Sequence, residues 1–143
     1  MQNKIDHVHT PVSHRAVRMT LLLLNLLVGL TAVAGGLALL IGVVQMPVAW
    51  LYGTAFSSYQ VPGLILALVV GGSALIAATA VLVESEWDAF ASLIAGVILV
   101  GWIVCEVVII GLNSWLQPFY FVLGLLILGL ATRLLSTELR HSS

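Results

Sequence analysis

Charge is scarce in this chain. Charged residues occupy 8% of its 143 positions, against roughly 25% in a soluble domain. So little polar material cannot cover a water-facing surface, and most of the surface must face lipid. The net charge of −1 and the lack of a concentrated basic patch exclude nucleic acid as a partner, because phosphate binding needs clustered cations. Cysteine is nearly absent. The single Cys105 excludes an intrachain disulfide, and one thiol inside an apolar run reports nothing about redox compartment. Motifs that carry chemistry are missing as well. No histidine pair lies in an apolar run to hold haem. There is no CxxC pair, Walker loop, dinucleotide fingerprint or zinc-protease motif. No two carboxylates share an apolar run. The sequence therefore assigns no catalytic residue, no cofactor and no metal site, and it leans away from an enzyme.

What the chain has is apolar sequence, at 61% hydrophobic residues. Four runs, at about 19–44, 62–83, 89–112 and 118–135, reach the roughly 20 residues that a membrane-crossing helix needs. They are continuous and do not alternate, which indicates helices and not barrel strands. The expected fold is all-α, a four-helix transmembrane bundle over 19–135 between tails at 1–18 and 136–143. Pro62 and Pro118 stand at first-turn positions, where a missing N–H is harmless. Asp88 precedes the third run and can cap it. Arg15, Arg18, the leucine-rich run after them and Ala32-Val33-Ala34 have the outline of a cleavable leader. Apolar sequence continues unbroken to Val44, and that continuity favours an uncleaved span.

All the basic residues lie in or beside the tails: Lys4, Arg15, Arg18, Arg133 and Arg140. Four spans put both tails on one side, and the positive-inside rule makes that side the cytoplasm. The acidic turn Glu84-Ser85-Glu86-Trp87-Asp88 falls on the same side, but acidic residues weigh little in orientation. Most aromatic residues gather at the other end: Trp50, Tyr52, Phe56, Tyr59, Trp115, Phe119, Tyr120 and Phe121. They read as a headgroup-level belt, with a ligand-binding cap as the alternative.

Lipid gives helices no hydrophobic reason to pair, so small residues mark the contact faces. In the first span Asn25, Gly29, Ala32 and Gly36 share a stripe. In the second, Gly63, Ala67, Gly71, Ala74 and Ala78 do so, and the third offers Ser92, Ala95 and Gly96. The first two spans are expected to form the tightest pair, and the leucine-rich fourth to face more lipid. A pocket or hinge beside the glycines is the other reading.

Glu106 is the ionisable residue deepest in a span. Such residues usually face the bundle interior and serve function. Helical spacing puts Leu99, Trp102, Ile110 and Asn113 on its face. It also lies about 8 Å from the outer end of its helix, within reach of loop groups such as Tyr52 and Tyr59. The candidate binding group is thus Glu106, Trp102, Asn113, Tyr52 and Tyr59, and a satisfied structural glutamate is the equal alternative. Asn25, near the opposite membrane face, is read as an interhelical hydrogen bond of about 1 kcal/mol or less. His7, His9 and His14 with Asp6 could hold a metal, but a short polar tail with Pro11 reads as a disordered arm.

Residues 61–83, and the stretch from Gly101-Trp102-Ile103 through Ser114-Trp115-Leu116-Gln117-Pro118-Phe119-Tyr120-Phe121, resemble small four-span prokaryotic membrane proteins of unassigned function. The resemblance covers roughly the last two-thirds of the chain. It implies four spans and a prokaryotic plasma membrane, and it carries no activity. Small multidrug transporters also have four short spans. They carry an essential glutamate in the first, where this chain has Asn25, and that departure argues against the relation. The expected function is association, with the chain itself or as a small subunit of a membrane complex, with the lipid bilayer as its surroundings. The alternatives are a small transporter or ion-coupled carrier using Glu106, and a membrane enzyme on a lipid-like substrate.

Overall fold

A computed structural model describes residues 2–43, 60–112 and 115–142. Tyr52, Tyr59 and Asn113 lie outside the described residues. Every element among those residues is helical. The first helix is Gln2–Leu40. The second runs through Gln60–Ile65, Leu66–Gly71 and Gly72–Leu82. The third is Asp88–Ile110 and the fourth Leu116–Ser142. Each contains a stretch long and apolar enough to cross a membrane: Arg15–Leu40, Gln60–Leu82, Asp88–Ile109 and Leu116–Thr137. At 1.5 Å per residue the shortest spans about 33 Å, which matches a hydrocarbon core of about 30 Å.

Helical backbone continues beyond the apolar stretches at both ends of the chain. The first helix begins at Gln2 and the fourth ends at Ser142, so helix runs through the segments read from sequence as tails. The reason is cooperativity. A span already formed serves as the nucleus, and each further residue adds one hydrogen bond at little entropic cost.

The second helix is not uniform. Leu66–Gly71 is a π-helical turn inside it. In an α-helix, residues four apart drift sideways by about 40° per step, because a turn takes 3.6 residues. A π-turn is wider, so Gly63, Ala67 and Gly71, each four apart, keep facing the same neighbour. That neighbour is the first helix. A Cβ on Gly36 would meet the Ala67 backbone N at 2.7 Å and the backbone oxygen of Gly63 closer still. A Cβ on Gly71 would lie 3.1 Å from the Val33 backbone N, and one on Gly29 would lie 2.8 Å from Leu75 Cγ.

The other extensive pairing joins the third and fourth helices. Gly96 lies against Leu128 and Ile127, and Gly124 against Val100. The fourth helix faces outward more than the first and second, as its leucines lead one to expect, and no more than the third, against which it is seated. Tyr120 donates its hydroxyl proton to Thr31 Oγ1 at 2.7 Å and ties the fourth helix to the first. Leu21, Val28, Val70, Leu99, Ile127 and Leu134 form the buried centre.

Two helices end in the same six-residue hydrogen-bond motif. After the first, Val43 N–H donates to Ala38 O at 3.0 Å, with Gly42 at φ 77°. After the second, Ser85 N–H donates to Ala80 O at 2.9 Å and Glu84 N–H to Val81 O at 3.2 Å. The left-handed position is filled there by Glu84, at φ 53°.

Candidate functional site

The first and third helices have the least backbone contact of any touching pair, yet polar side chains join them twice. On the first helix Arg18, Leu21, Asn25 and Val28 fall at spacings of three and four, hence on one face. Asp88, Ser92, Ala95 and Leu99 do the same on the third. Asn25, Asp88 and Ser92 are each 0% exposed.

The outer rung of this ladder is an ion pair. Arg18 Nη1 meets Asp88 Oδ2, with side-chain exposures of 17% and 0%. Arg18 Nη2 also donates to Val81 O at 3.1 Å. Asp88 Oδ1 accepts from Ala89 N–H at 2.6 Å. Each charge stands where a helix end favours it. The guanidinium satisfies a carbonyl in the last turn of the second helix, and the carboxylate opens the third. Asp88 thus does satisfy a free N–H of the third helix, as expected from sequence, but it does so from the first helical position. Trp87 holds the cap position without a side-chain bond, and Asp88 turns toward Arg18. A buried pair of this kind adds little over an apolar one, but breaking it by removing one partner typically costs about 3–5 kcal/mol.

The inner rung is one turn deeper. Asn25 Nδ2 donates to Ser92 Oγ at 3.1 Å. The other amide atom, Asn25 Oδ1, is buried without a hydrogen-bond partner. From sequence, Asn25 shared a stripe with Gly29 and Gly36. In the structure those glycines meet the second helix, whereas Asn25 is bonded to the third. Ala74, from the small-residue stripe of the second helix, is buried at the centre.

At the other end of the third helix, Glu106 is half-buried, and no hydrogen bond joins it to another described residue. Trp102, one turn away, packs partly against the core. The remaining members of that candidate group, Tyr52, Tyr59 and Asn113, lie outside the described residues, so only Glu106 and Trp102 have a place in the site. Glu106 and Ser92 are separated by about 21 Å of helix, so the two polar regions are distinct. No group of three or more His, Cys, Asp or Glu among the described residues could hold a metal ion.

Sequence reasoning missed the Arg18–Asp88 pair. A signal was present: opposite charges stand at the same end of two apolar runs in a chain with very few charges. It also passed over Gln117, which is buried and donates Nε2–H to Gly111 O at 3.1 Å. Comparison with family models, curated proteins and solved structures finds no match for this chain.

Proposed function

We propose that this chain works by association within the bilayer of a prokaryotic plasma membrane, with further copies of itself or as a small subunit of a membrane complex. One observation supports this reading above the rest. The bundle uses Gly29, Gly36, Gly63 and Gly71 at its own crossings, but a Cβ on Gly72, Gly101 or Gly129 would meet nothing within 4 Å. A glycine inside a helix is about 1 kcal/mol less favourable than alanine. Where no neighbour in the chain needs the space, close approach by another helix supplies a reason for it. Gly101 lies on an outward face with Val97, Val104, Cys105 and Val108. Both termini are proposed to be cytoplasmic, because the basic residues cluster at that end.

The test is the size of the protein extracted from its native membrane in mild detergent, read by native mass spectrometry. The reading expects an assembly larger than one chain, weakened by Gly101→Leu. A wild-type chain that stays monomeric and partnerless at every concentration refutes it.

A second reading, a small ion-coupled carrier, is favoured by Glu106 alone. Helical spacing puts its carboxylate on the inward face with Leu99 and Trp102, and no described residue bonds to it. It predicts ion flux into vesicles that is lost in Glu106→Gln while the fold is kept. Equal flux in wild type and variant ends that reading.

A further inference from the structure

We infer that the pair formed by Asn25 and Ser92 is a binding site for one internal water molecule, sealed between the first and third helices. The inference starts from an accounting of hydrogen bonds. Asn25 is 0% exposed and its amide carries two groups. Nδ2 donates to Ser92 Oγ at 3.1 Å. Oδ1 has no donor among the described residues. An unpaired buried acceptor costs about 1–3 kcal/mol, and in lipid no bulk water can relieve it. Ser92 is equally buried. Its oxygen accepts from Asn25, which leaves its own hydroxyl proton available to donate.

The site thus offers one acceptor and one donor, on two residues already bonded to each other. A ligand that fits must donate to the first and accept from the second. Water does both. It also fits if the amide is turned about, since Oδ1 would then accept from Ser92 and Nδ2 would be the group in need of an acceptor.

A bare cation fits less well. Sodium and its relatives require several oxygens, and this site has two neutral ones. The nearest carboxylate along the third helix, Asp88, is held by Arg18, so its charge is already matched. An apolar guest would leave Oδ1 as it is. Leu21 and Val28, one turn to either side of Asn25, are 0% and 1% exposed, so the first helix lines the site with buried apolar side chains above and below. Internal waters typically hold two to four polar partners, and the Asn25 amide and Ser92 hydroxyl supply two.

The experiment is solid-state NMR on the full-length labelled protein in lipid vesicles, measuring magnetisation transfer from water to side-chain carbons. Asn25 Cβ should receive water magnetisation several-fold faster than Leu21 and Val28 methyls. If it is as slow as they are, the inference is overturned. In Asn25→Leu, transfer to Ser92 Cβ should fall to the level of Leu21. A Ser92 that stays wet without Asn25 also overturns it. Replacing sodium by choline in the buffer should leave the Asn25 and Ser92 signals in place, and a shift would mean that the ligand is a cation. The first and third measurements use the wild-type chain, so they decide the matter even if the variant does not fold.

Discussion

The most consequential side chain in the bundle is Arg18, and its partner shows why. Asp88 has no route to water, whereas Arg18 is 17% exposed on a long flexible stem and can swing its head outward. The two halves of the pair are therefore unequal. Arg18→Met strands a fully buried carboxylate and should destabilise the fold by about 3–5 kcal/mol. Asp88→Leu should cost less, because the orphaned guanidinium can leave. The double variant should recover most of the loss. Unfolding free energies by steric trapping in bicelles would check the order, and an Asp88→Leu variant worse than Arg18→Met would contradict it. The sequence held the opposite charges at matching ends of two apolar runs, but not their pairing. There Arg18 counted only toward orientation and Asp88 only as a cap, because no spacing rule says which residues of distant helices meet. Glu106 was easy to single out, since charge is conspicuous in an apolar run.

At the scale of helices, glycine carries two meanings, and substitution separates them. Gly36→Ala drives a methyl into the Gly63 and Ala67 backbones, which have no rotamer to relieve it. Overpacking of this kind costs about 1–3 kcal/mol, and the upper part of that range is expected. Gly101→Ala meets open space and should leave the isolated bundle unharmed or about 1 kcal/mol more stable. If both changes cost the same, the crossings are not where the structure puts them. The turn between the second and third helices offers a companion case. Glu84 occupies a left-handed position that Gly42 fills at the end of the first helix. Glu84→Gly should raise stability by about 1 kcal/mol, measured by the same unfolding assay. Four apolar runs can be read in a sequence because length and composition decide whether a helix can cross lipid. The π-turn could not be read. Small residues repeating every four positions are compatible with a drifting α-helix, and only the facing backbone of the first helix selects the wider turn.

For the whole molecule, the remaining prediction concerns sidedness. Reporter fusions to either terminus should be active only in the cytoplasm, and activity of either fusion outside would reverse the orientation. The first and third helices scarcely touch through their backbones, yet they share a guanidinium clamp that also grips the end of the second. Arg18 is made long before Asp88 as the chain is synthesised. Until the third helix arrives, its cation lacks its buried partner and belongs at the headgroup layer. Docking of the third helix therefore acts as a latch that closes late, and a ribosome-bound chain cut short before Asp88 should leave Arg18 open to attack by a water-borne arginine reagent that the finished protein resists.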